Sequence, residues 1–225
     1  MCQIKYADHK PEARVTNNRH SSNMSEPAEK RLKTNVPMCK SHCALVNSKA
    51  RQNFPAVVEE ALCGFSTYLM ECAYRLEALA KIFEQDDLPL SRVAAFFHQE
   101  SMREQAQAEA LLQYMSERGG NHCNKVIQRP GTEQVSALLS ALELMLSNWK
   151  EEMAIMVELC QLAREHEDPH TISVIKSYFL SPLIPKIKLL GDLLTNARRV
   201  GCNTDGTGGF GEYLINQLQK ELCSA

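Results

Sequence analysis

Beyond Arg51 the apolar positions recur every three or four residues, in four long runs and one short one. Val58, Leu62, Phe65, Leu69, Cys72, Leu76, Leu79 and Phe83 mark the first run. That period is the helical one, and some 25 residues of it give roughly 40 Å of helix. Pro55 suits its first turn and Asn53 is a nearby candidate cap, while Asp86-Asp87-Leu88-Pro89 ends it and opens the second run. There Ala94, Phe97, Ala108, Leu111, Leu112 and Met115 form the stripe, and Gly119-Gly120 closes the helix. Glu100, Glu104 and Gln107 lie three and four residues apart on one line of that helix, the pattern of a wall facing a buried polar site.

Asn121 to Gln134, with Pro130-Gly131, is long for a simple hairpin and predicts a crossover. A third helix is expected from Val135 to Arg164, and a fourth from Pro169 to Val200, stopped by Gly201. Pro182 and Pro185 fall in the middle of the fourth. Each removes a backbone hydrogen bond and costs on the order of 3 kcal/mol unless the helix bends. After Gly206 to Gly209, a short helix is expected from Phe210 to Leu222, with Tyr213, Leu214, Ile215 and Leu218 on its apolar side. The pattern predicts an all-α fold over residues 51–225: a four-helix bundle with one long crossover and a short fifth C-terminal helix.

Residues 1–50 break this pattern. They are polar, carry Pro11, Pro27 and Pro37, and show no sustained apolar period, so they are expected to form a disordered N-terminal extension. Cys39, His42 and Cys43 supply three candidate metal ligands but no second pair to close a zinc site. Net charge is −2 overall, but residues 1–50 hold nine Lys/Arg against four Asp/Glu, leaving the folded part mildly acidic. No nucleic-acid partner is expected, since a weakly basic tail is ordinarily a solvated one. Nine scattered cysteines argue against a disulfide framework and for a reducing, cytoplasmic setting. Nothing resembles a membrane span or a secretory signal.

The acid line of the second helix, followed by Glu117-Arg118-Gly119-Gly120, resembles the second helix of a ferritin subunit. Arg51-Gln52-Asn53-Phe54, Asp86-Asp87, Asp168-Pro169-His170, Leu190-Gly191-Asp192 and Gly211-Glu212-Tyr213-Leu214 match in order and at the right separations, so the resemblance runs from about residue 51 to 222. It implies the ferritin-like bundle with its single long connection. It also implies iron as the bound and stored species, and partners that are other ferritin subunits in a 24-subunit-type shell.

Heavy-type ferritin subunits oxidise Fe²⁺ at paired irons held by carboxylates from several helices and a Glu-x-x-His pair. Carried over, those ligand positions fall on Leu69, Glu104, Gln107, Trp149 and Leu183, with Leu76 in place of a tyrosine. Glu104 is the one ligand retained, read as a remnant metal ligand or as a polar residue bonded to Gln107 or water in a refilled site. The acidic cavity face of light-type subunits matches Gln99, Met102, Arg103 and Ala106, and the acid rings of the three-fold pores match Ser173 and Lys176. Elsewhere, Pro169 puts Glu167-x-x-His170 at a helix start, and His98-x-Glu100 lacks the cysteine pair of a zinc deaminase.

The expected role is a shell subunit contributing to intracellular iron storage and homeostasis without its own ferroxidase activity. Two alternatives stand beside it: a weak ferroxidase using Glu104, and a ferritin-derived interaction protein with no iron role.

Overall fold

The apolar stripe of the first run becomes the inner face of α1 (Ala56–Ile82), and that of the second the inner face of α2 (Ser91–Glu117). α1 packs most extensively on α2, and α3 (Leu138–Glu165) packs on α5 (Ser181–Arg199). The stripes meet in one core that includes Phe65, Phe83, Phe97, Leu111, Leu142 and Met156. The fourth helix begins as α4 (Pro169–Val174), passes through a π-helical stretch at Ile175–Leu180 and continues as α5; a short α6 (Gly209–Leu218) follows. The computed structural model describes residues 36–38, 48–121, 127, 135–205 and 209–218, all within the second of two units, Met1–Lys33 and Thr34–Ala225. Among the described residues there is no strand, and no helix is long and apolar enough to cross a membrane. Cys39, His42, Cys43, most of the crossover and the end of the last helix lie outside them.

Several helix ends differ in detail from expectation. Asn53 does not cap α1: its backbone is left-handed at φ 47°, and its side-chain amide donates to the Glu167 carbonyl at 3.1 Å. Pro55 holds the cap position instead. Gly119 and Gly201 take positive φ after α2 and α5, the conformation glycine adopts without strain, so both stops fall where the sequence puts them. The two prolines of the fourth helix are accommodated in different ways. The π-helical stretch ends at Ser181, whose N–H and hydroxyl both reach the Lys176 carbonyl, so Pro182 enters α5 in its first turn, where its missing N–H costs little. Pro185 lies inside α5, which runs on through it.

α6 is fixed by the helices it caps. Its Asn216 side-chain oxygen accepts from the Arg92 and Val93 N–H groups at the start of α2, and its Glu212 accepts from Leu138 N–H at the start of α3. Both helices lack a side-chain cap of their own. The short helix therefore satisfies first-turn donors that would otherwise be orphaned.

At the far end, fully buried Asp168 accepts from Thr171 N–H at 3.2 Å, from the Thr171 hydroxyl at 2.7 Å and from Arg118 at 3.2 Å. Arg118 in turn donates to the Asn53 carbonyl and lies over the Phe54 ring, tying α2, α4 and the strand of chain before α1 together. Asp168→Ala removes a cap and leaves buried donors unpaired, so a loss of about 2–3 kcal/mol is expected. The urea midpoint should fall with an unchanged slope.

Candidate functional site

Helical spacing places Glu100 and Glu104 one turn apart on α2, and the bundle buries both, at 2% and 1% exposed. Each would carry an unscreened charge there without a partner, which is costly. α5 provides that partner. The Lys186 ammonium lies 2.9 Å from Glu100 Oε2 and 3.9 Å from Glu104 Oε1, and 5.4 Å from the centroid of the Trp149 ring. Trp149, from α3, donates its indole N–H to Glu104 Oε1 at 3.3 Å. Arg103 pairs with the other oxygen of Glu100 from the surface side.

A third carboxylate, Glu152 of α3, is 2% exposed and points an oxygen at no hydrogen-bond donor among the described residues; Glu104 Oε2 is in the same position. Burial raises the pKa of both carboxyls. For Glu152 the negative charge of Glu104 adds to the rise, and for Glu104 the Lys186 ammonium opposes it. On α1, Cys72 lies against the Tyr68 hydroxyl, and burial, with Glu152 next, pushes its thiol up to about 12. Such a thiol is neutral and unreactive at neutral pH.

Of the residues singled out from sequence, Leu69, Trp149 and Leu183 are buried as apolar filling. Gln107 is only partly buried, and Trp149, not Gln107, is the side chain that hydrogen-bonds Glu104. His170 stacks on Tyr114 at the end of the bundle, well apart in the fold from this cluster. Sequence reasoning passed over Glu152 and Lys186, and took Cys72 only as a position of the apolar stripe. Each of the three stands three residues after a refilled position (Trp149, Leu183, Leu69), so each shares a helix face with it, and that spacing was the available signal.

A family model described as a ferritin-like domain matches residues 66–200, well over half of the chain. The chain belongs to the ferritin family. Its relatives include the middle-subunit ferritin of Aquarana catesbeiana, 29% identical over 76% of this chain and 95% of that one. Light chain 1 of Rattus norvegicus is 32% identical over 77% and 97%, and the light chain of Oryctolagus cuniculus 30% over the same shares.

Tested against the ligand set of a heavy-type ferritin, the interior of this bundle does not fit a pair of irons. Leu69 and Leu183 offer no donor atom, and an indole N–H only donates hydrogen bonds. The carboxylates that remain face a lysine ammonium. Among the described residues no three His, Cys, Asp or Glu side chains converge as a metal site.

Proposed function

We propose that this chain is a ferritin subunit that contributes to iron storage in the cytoplasm as part of a 24-subunit-type shell with other ferritin subunits, and that it does not itself oxidise Fe²⁺. The observation that supports this reading is Lys186, whose ammonium is held among Glu100, Glu104 and Trp149. One unit charge repels another by about 4 kcal/mol at 4 Å for an effective dielectric constant of 20, and a dication by twice that. A carboxylate pair already met by the Lys186 ammonium and, at Glu100, by the Arg103 guanidinium has little charge left with which to hold Fe²⁺.

The resemblance places acidic pore rings at Ser173 and Lys176, both exposed here. Neither would draw a cation inward, so iron entry and oxidation both fall to partner subunits. The metal role of Glu104 is then vestigial: the residue serves as hydrogen-bond acceptor for Trp149.

A homogeneous preparation given Fe²⁺ in air should oxidise it no faster than buffer, with or without Glu104→Ala. Co-expressed with a heavy-type ferritin subunit, the chain should co-elute in an iron-loaded shell by native mass. Fast oxidation lost in Glu104→Ala would establish the remnant-site reading in its place, and failure to enter a mixed shell would sink the storage role.

A further inference from the structure

The ion pair that crosses the bundle brings together the two halves of an amide. Lys186 Nζ of α5 lies 2.9 Å from Glu100 Oε2 of α2, yet that oxygen accepts no hydrogen bond among the described residues. The amine therefore meets the carboxyl group by close contact alone, with the carboxyl carbon one bond further, in the range from which positioned groups react. Three neighbours supply what a condensation needs. Arg103 holds Glu100 Oε1, the atom on which negative charge collects when the carbon becomes tetrahedral. Glu104 Oε1 is 3.9 Å from Nζ and its Oε2 has no donor among the described residues, so this carboxylate is placed to carry a proton. Trp149 flanks the pair from α3, with Lys186 Nζ 5.4 Å from its ring centroid. Glu100, Glu104 and Trp149 are all buried, which limits the water that would reverse the reaction.

We propose that Lys186 and Glu100 condense to an amide, a covalent staple between α2 and α5. The freshly folded chain is ion-paired, as in the structure, and the condensation follows slowly. The ammonium first passes one proton to Glu100 Oε2, and the neutral amine then attacks Glu100 Cδ. Glu104 takes a second proton from the bonded nitrogen and delivers it to Oε2; the bond from Cδ to Oε2 breaks, and that oxygen leaves as water. The three ammonium hydrogens end as one amide N–H and the two of water, Glu104 returns to its carboxylate, and no oxidant, metal or cofactor enters. In bulk water the separate ions are favoured over the amide. Held in contact they react as if at about 10⁵ M or more, and the neutral amide removes two charges that are costly to bury. The staple falls one residue after Pro185, where the fourth helix lacks a backbone hydrogen bond, and it closes the chain between the two residues into a loop. The proposal stands independently of the storage reading.

Mass spectrometry of the full-length chain tests this. Over days in neutral buffer the intact mass, read under denaturing conditions, should fall by one water. Digestion with trypsin should then give a single branched peptide that joins the Glu100 segment to Lys186, with no cleavage after Lys186. Lys186→Arg keeps the cation and removes the nucleophile, so its mass should stay at the value of its sequence. Glu104→Gln should form the staple at least about tenfold more slowly, as expected when a proton carrier is lost. A parent whose mass never leaves the value of the sequence, or a water lost equally from Lys186→Arg, would overturn the staple. A Glu104→Gln chain that condenses as fast as the parent would overturn the route through Glu104. Should Lys186→Arg fail to fold, the presence or absence of the branched peptide in the parent decides.

Discussion

Lys186→Leu should lower stability by about 3–5 kcal/mol, the range seen when one partner of a buried ion pair is removed and the other is left behind. For a domain of this size that is a fall in melting temperature on the order of 10 °C. The loss comes from Glu100 and Glu104, both nearly inaccessible to water, and not from the lysine, whose side chain keeps 19% exposure. Arg103 can still neutralise Glu100 from outside, but no described cation other than Lys186 lies within ion-pair distance of Glu104. Removing the stranded charges should therefore restore what the substitution takes: Lys186→Leu combined with Glu100→Gln and Glu104→Gln is expected to melt near the unmodified chain. Trp149 is the single tryptophan, so its emission reports the loss of the ammonium over its ring independently of the melt. A single variant that melts within a degree or two of the parent would mean that the ion pair is not buried as described.

Raising the pH from 5 to 8 should destabilise the bundle through Glu152 and Glu104. Their carboxyls have pKa values raised in the folded state, chiefly by burial, so between the unfolded and the folded pKa the native state binds more protons than the unfolded chain. Stability then falls as pH rises through that window, by up to about 1.4 kcal/mol per pH unit for each proton involved. This is the reverse of the usual salt-bridged carboxylate, which loses stability as pH falls. Glu152 should dominate, since its rise is the larger and Lys186 lies closer to Glu104 and Glu100. Glu152→Gln keeps the shape and removes the charge, so it should be more stable than the parent at pH 8 and nearly equal at pH 5. Urea melts at the two pH values measure both. A parent whose stability climbs between pH 5 and 8, with Glu152→Gln climbing in parallel, would show that Glu152 is ionised and accommodated.

The helices were legible because each rests on a short-range rule. The period of Val58 to Phe83, the double glycine at Gly119 and the stop at Gly201 act within one or two turns, and a single strand of sequence contains all they need. Asn53 misled because cap chemistry was read locally, while its side chain is bound to Glu167, far along the chain. The capping of α2 and α3 by Asn216 and Glu212 was invisible for the same reason.

The sequence by itself determined that this chain is a ferritin-type helical bundle, and that Leu69, Trp149 and Leu183 had filled positions where ligands would stand. Periodicity suffices for the helices, and the resemblance to ferritin subunits supplies the ligand positions; both are read along one chain direction. Only the tertiary structure decided what the interior became. Three helices had to be brought together before Lys186 of α5 met Glu100 and Glu104 of α2 beneath Trp149 of α3, because a charge's partner is set by distance in space and by the exclusion of water. The same holds for Gly64, which in sequence is a weak point in a helix and in the fold is the place where Pro37 crosses it.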